Sequence, residues 1–413
     1  MQMKKLFTLL ISLLMAQSIL AQISNEVFTS GKTGKRQKLG IYKPAGYSDK
    51  QTYPLIIVLN GNTLMEPVVT AVRYYEQFQE MPKCIVVGVF DESLEDVAII
   101  DEVARPMNES ARFFEFISTE LVPYVQGKFP IAGLKGIVGS EEAGFLINYY
   151  LLNQKNPFNM FVSLNPTAIP RMGQEFSGAL AAGGKERLFY YMTTADVENK
   201  LKYDKAINFE RSLRSMPTHE SVDYHFVDRK GTSINAAKLE GIAQAFDLCF
   251  DIYKPIGGKE YKTQMETLSN NIFEYLETKY KTIDAYLGIK KKPLLNDIMA
   301  TYTAIKSAAD WESLKKLAKY VEDNGYVKTA MPNFFLAEYY EKTEDYKKAL
   351  KTYQKSYTEP SIDFITADLI TERINALKTN RNLGRSNKKS KKVIEEVAEP
   401  VEEQVPTDES NQN

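Results

Sequence analysis

Gly136-Ile137-Val138-Gly139-Ser140-Glu141-Glu142-Ala143-Gly144 is the stretch on which the reading of this chain turns. The apolar run Leu134 to Val138 enters it, and a second apolar run, Phe145 to Leu152, leaves it. The first reads as a strand and the second as a helix. A turn this tight has no room for bulk, and Gly139, Ala143 and Gly144 are the small residues it needs. Glu141 stands in the slot between them.

Working outward, Tyr53-Pro54-Leu55-Ile56-Ile57-Val58-Leu59-Asn60-Gly61 is a continuous apolar run closing on Asn-Gly, which reads as a fully buried strand and the loop at its carboxyl end. Arg36 to Tyr42, Cys84 to Phe90, Phe158 to Leu164, Leu188 to Met192 and Val222 to Val227 read as further strands. Between them lie helical runs at Met65 to Gln79, Ser110 to Val125, Val197 to Arg214 and Asn235 to Tyr253. In the second of these Phe113, Phe116, Ile117, Leu121 and Val125 share one face. Alternating strands and helices predict an α/β fold with a doubly wound, mostly parallel sheet. Ligands in such sheets bind beyond the carboxyl ends of the strands, where the Glu141 turn falls.

Three segments carry a resemblance. Ile41-Tyr42-Lys43-Pro44-Ala45-Gly46-Tyr47 with the Tyr53 to Gly61 run, the helix Phe113-Phe114-Glu115-Phe116-Ile117-Ser118-Thr119-Glu120-Leu121-Val122-Pro123-Tyr124-Val125, and Pro157-Phe158 leading to Ser163-Leu164-Asn165-Pro166 resemble the putative-esterase family of α/β-hydrolases, the esterase D, feruloyl esterase and enterochelin esterase branch. The likeness covers roughly residues 26 to 253. It implies that the Gly139 turn is a nucleophile elbow, whose pattern in the family is Gly-His-Ser-x-Gly-Gly. Here Ser140 replaces the His and Glu141 the Ser. The family's catalytic His belongs to a Gly-x-x-His-x-Ser loop after the last strand. The corresponding loop, Asp228-Arg229-Lys230-Gly231-Thr232-Ser233, has none, and Gly231 stands near its place. Asp196 and Glu198 are available where the triad acid belongs, but an acid with no His to orient has no triad role. The resemblance would put the oxyanion-pocket backbone at Asn62 and Glu142.

Other residues do not rebuild the triad. Ser140 as nucleophile would need a small residue where Glu142 stands; the simpler expectation is a turn or N-cap hydroxyl. The chain has only two histidines. His219 precedes the last strand and should lie at the opposite edge of the sheet, and His225 lies inside that strand. Glu141 at a helix N-terminus would be favoured in its ionised form and is expected to fill the old oxyanion pocket with its own charge. The alternative is a carboxylate nucleophile or general base. Glu142 reads as a solvated first-turn acid. Paired-carboxylate glycoside chemistry finds no support in two adjacent turn residues. No metal or cofactor motif appears, and the glycine pairs at 183–184 and 257–258 are loops rather than phosphate cradles.

The remaining features set the surroundings. A chain of 413 residues with net charge -1 and 44% hydrophobic residues suggests two or three globular domains and gives no reason to expect nucleic-acid binding. Lys4 and Lys5 before the apolar run Leu6 to Met15, with Ala21 as cleavage point, read as a signal peptide over 1–21; a further membrane span is not expected. The mature protein is expected in the periplasm or at the cell surface. Cys84 and Cys249 read as buried free thiols, with a disulfide the less favoured alternative. The α/β-hydrolase domain is expected over 22–255 and a helical domain over 256–377. In the latter, Leu336, Ala337, Tyr340, Ala349, Tyr353 and Ser356 have the spacing of a tetratricopeptide helix pair. Residues 378–413 form a charged tail, basic then acidic, expected to be a disordered, solvated linker, with a docking tail as the alternative. Together these point to an exported, non-catalytic binding or scaffold protein with protein partners on its helical repeat. The alternatives are an active carboxylic-ester hydrolase on an acylated carbohydrate and a non-catalytic sugar or peptide binder.

Overall fold

The computed structural model describes residues 23–90, 106–153, 155–184 and 186–379. The expected signal segment, and all of the tail beyond its first two residues, lie outside the described residues.

Eight strands form one sheet in the order β1-β2-β4-β3-β5-β6-β7-β8. They are β1 (Ile23–Thr29), β2 (Arg36–Tyr42), β3 (Tyr53–Val58), β4 (Ile85–Phe90), β5 (Ile131–Ser140), β6 (Met160–Leu164), β7 (Leu188–Thr194) and β8 (Val222–Asp228). β1 with β2 and β2 with β4 pair antiparallel; every other pairing is parallel. β1 was not legible in the sequence. It is an outer strand with mostly exposed or half-buried side chains, so its apolar alternation is weak.

Side chains of the buried strands alternate between two cores because successive Cβ atoms point to opposite faces. Leu55 and Ile57 enter one core with Phe113, Phe116, Phe145, Phe176 and Phe209. Ile56 and Val58 enter the other with Leu64, Val68, Ile242 and Phe246. The helices are α1 (Gly61–Gln77), α2 (Asn108–Glu115, continued by a wider turn over Phe116–Leu121 and by Val122–Lys128), α3 (Glu141–Leu146), α4 (Gly173–Ala182), α5 (Lys200–Leu213) and α6 (Ile234–Cys249). The run expected as one helix after the elbow tightens to 3-10 geometry over Ile147–Leu152.

The described residues divide into two compact units. One runs to Gly257 and also takes Thr278–Lys291; the other holds Gly258–Glu277 and the residues from Lys292 onward. The second begins with short helical turns and then the start of α7 (Ile272–Leu287). It continues with α8 (Leu295–Ala308), α9 (Trp311–Val321), α10 (Met331–Lys342), α11 (Tyr346–Tyr357) and a helical stretch over 367–379. Ala337, Ala349, Tyr353 and Ser356 are buried as expected, whereas Leu336 and Tyr340 are half-buried. Phe334, Phe335 and Glu338 take the inward places of α10, with Tyr302 stacked 4.7 Å from Phe335.

Candidate active site

β5 carries the chain to the sheet edge. Ser140 is its last residue, still extended at φ -125 and ψ 155. Glu141 then turns into the left-handed region at φ 54, and α3 begins. For a residue with a side chain that conformation stores on the order of 1–3 kcal/mol, which the packing around it must offset. The small neighbours are required. A Cβ on Gly139 would lie 2.8 Å from the Ala143 carbonyl carbon, and one on Gly144 would lie 3.0 Å from the Gly139 oxygen. The tip of the elbow is therefore Glu141 and not Ser140.

Ser140 is 2% exposed, and both its backbone N–H and its hydroxyl donate to Asn60 Oδ1, at 3.0 and 3.3 Å. It occupies the cap position of α3 but makes no side-chain cap bond, so the expected N-cap hydroxyl is corrected: Asn60 captures it first. Asn60, just beyond β3, is itself left-handed at φ 56, a conformation asparagine tolerates. Asn62 follows in the first turn of α1 with its side chain in solvent.

The carboxylate of Glu141 does not turn back onto the elbow as expected. Its Oε1 accepts from Lys238 Nζ at 2.5 Å. Lys238 sits in the second turn of α6, which Ser233 caps through the Ala236 N–H. The lysine side chain is only 14% exposed, against 34% for the glutamate. A nearly buried ammonium needs a counterion, and that full charge outweighs the partial charges of a short helix start.

Glu142 is likewise not a solvated acid. It is half-buried, with Oε1 2.8 Å from the Thr167 hydroxyl and 3.5 Å from Lys202 Nζ. Burial alone would raise its pKa. The Thr167 hydroxyl, its own backbone N–H and Lys202 outweigh that and hold the carboxyl below its ordinary value.

The loops that would carry the other triad members are tied to each other. Asp196 Oδ1 accepts the Gly231 N–H at 2.6 Å, with Gly231 at φ 82, and Glu198 Oε2 accepts the Ile234 N–H at 2.8 Å. Asp196 thus bonds to main chain where the family pattern would offer a histidine ring. Both histidines are engaged elsewhere. His219 Nδ1 accepts the Ser221 N–H at 3.1 Å, and His225 Nε2 pairs with Asp223 at 2.8 Å. Among the described residues no group of three or more His, Cys, Asp or Glu side chains could hold a metal.

Sequence reasoning missed Lys238, Lys202 and Asn60. One signal was available for the first. Lys238 lies one turn before Ile242 and two before Ala245, both buried, so it interrupts the inward face of α6.

A mostly parallel sheet with a strained residue between β5 and α3, and with tied loops after β7 and β8, defines an α/β-hydrolase-like protein. Residues 30–218 match a family model described as putative esterase. An uncharacterised protein from Capnocytophaga ochracea DSM 7271, known from its crystal structure, is 72% identical; the match covers 87% of this chain and 100% of that one, with a TM-score of 0.83. An IroE-like serine hydrolase from Shewanella oneidensis shares the fold at 14% identity, over 76% of this chain and 98% of that one, with a TM-score of 0.54. A comparison with curated proteins gave no match.

Proposed function

We propose that this chain is a non-catalytic member of the esterase fold, exported to the cell envelope, where it serves as a binding or scaffold protein. The Glu141–Lys238 ion pair carries the reading. A serine esterase needs a neutral hydroxyl at the elbow, a base to take its proton, and donors free for the developing oxyanion. Here the elbow holds a carboxylate with an ammonium on it, and the acid that would orient a histidine bonds to the Gly231 main chain. Such a site binds charge but lacks the base for acyl transfer. The helical unit adds surface for a protein partner.

The same pair favours one other reading: ester hydrolysis with Glu141 as the attacking carboxylate and Lys238 as proton donor. The two part in one assay. Wild type, Glu141→Ala and Glu141→Ser are incubated with short-chain aryl esters and acetylated sugars. The proposal expects all three at the background rate. Turnover by wild type that Glu141→Ala abolishes would overturn it.

A further inference from the structure

The outer face of α11 differs from the other helices of its unit. Its sequence, Tyr346-Lys347-Lys348-Ala349-Leu350-Lys351-Thr352-Tyr353-Gln354-Lys355-Ser356-Tyr357, holds four lysines and no acid. Lys348 pairs with Asp345. Lys347, Lys351 and Lys355 recur every fourth residue, are exposed, and make no ion pair among the described residues. Elsewhere in the unit, Lys306, Lys316 and Lys319 have carboxylate partners, and Lys315 and Lys342 lie over the rings of Tyr339 and Trp311. Like charges at i and i+4 cost a helix about 0.2–0.5 kcal/mol per pair. Tyr346 and Tyr357, eleven positions apart and so on nearly the same bearing, are 45% and 53% exposed, but they lie more than a quarter-turn round the helix from the lysine stripe. The face is a basic ridge.

The chain itself carries a segment of the opposite character. From Val393 to the end there is no Lys or Arg, and Val393, Val397, Val401 and Val405 are interleaved with Glu395, Glu399 and Glu403, with Glu396, Glu402, Asp408 and Glu409 adding charge. From Thr379 to Glu395 is 16 positions, a reach of up to about 53 Å at 3.3 Å per residue. The 12 residues of α11 span only about 18 Å. We propose that residues 393–409 dock on the Lys347–Lys351–Lys355 face of α11 in the same molecule, carboxylates on the lysines.

The test uses the full-length chain and a full-length variant with Glu395, Glu399, Glu402 and Glu403 all changed to Gln, which leaves the described structure untouched. Each is labelled briefly with an amine-acetylating reagent and with a zero-length carbodiimide, then mapped by mass spectrometry. Docking predicts that Lys347, Lys351 and Lys355 acetylate at least threefold faster in the variant while exposed Lys316 does not change. It also predicts carbodiimide links from those lysines to residues 395–403 within one chain, weakened by 0.5 M salt. Equal acetylation in the two proteins, links only to Lys388–Lys392, or links only between two chains would each overturn it.

Discussion

Glu141 and Lys238 are 97 residues apart in sequence, and their charges meet 2.5 Å apart at the carboxyl edge of the sheet. The glutamate is held there by a strained elbow and the lysine by a long capped helix, so neither side chain chooses its position freely. The pair ties the strand-turn-helix unit to α6. Lys202, reaching Glu142 from α5, does the same from the other side.

The two members of the pair are unequally exposed, and this sets the direction of a stability difference. Glu141→Gln strands an ammonium that is nearly buried, whereas Lys238→Met leaves a carboxylate that water can reach. We expect Glu141→Gln to cost about 2 kcal/mol and Lys238→Met about 1 kcal/mol or less. The double variant should recover about 1 kcal/mol relative to the sum. Urea denaturation of the four proteins measures all three quantities, and a purely additive result would mean that the ion pair contributes nothing.

Asn60 is the second tie. Its Oδ1 receives both polar hydrogens of Ser140 in a place closed to solvent. Asn60→Ala leaves those donors unpaired and puts alanine at φ 56, so it should lose about 2–3 kcal/mol. Asn60→Gly keeps the conformational freedom and should lose less. If the two variants melt together, backbone geometry at Asn60 has no part in its role.

The sequence made the sheet legible because buried parallel strands are continuous apolar runs, as Leu55 to Leu59 and Ile85 to Val89 are. It made the elbow legible because steric crowding leaves so few choices beside Glu141. What Glu141 touches was not legible. Lys238 comes from the helix that follows β8, three strands past β5, and nothing local to either residue names the other. The same holds for Ser140, whose partner Asn60 lies 80 positions away. β1 failed for a different reason: an outer strand buries too little to show a pattern.

Two glycines separate crowding from conformation. At Gly139 a Cβ meets backbone atoms of Ala143 at 2.8 and 2.9 Å, and backbone cannot step aside. Gly139→Ala should therefore cost about 3 kcal/mol or more, or fail to fold. At Gly231 a Cβ meets nothing within 4 Å, but φ is +82. Gly231→Ala should cost only about 1 kcal/mol, all of it conformational. Thermal melts of both variants test the contrast, and similar losses at the two sites would refute the crowding argument.

The cysteines give a pH prediction with a definite sign. Both are buried and free, as expected from their apolar surroundings. Burial pushes the Cys249 thiol up to about 12, against smaller downward pulls from the Tyr286 hydroxyl and Arg187, and it drives Cys84 well above its ordinary value. In the unfolded chain both titrate near 8.5. A pKa raised by folding means that the native state holds the proton more tightly. That contribution to stability is complete below about pH 8.5 and is lost as pH rises toward 12. Between pH 8 and pH 10 each thiol should remove about 2 kcal/mol from the unfolding free energy. Urea titrations at the two pH values should show at least this loss, to which the buried tyrosines add, and Cys249→Ala should reduce it by about 2 kcal/mol. Native protein at pH 8 should give no reaction with a thiol-specific chromogenic disulfide, and urea-unfolded protein should release two equivalents. A thiol that reacts quickly in the native state would contradict the burial of Cys84 and Cys249 from which the prediction starts.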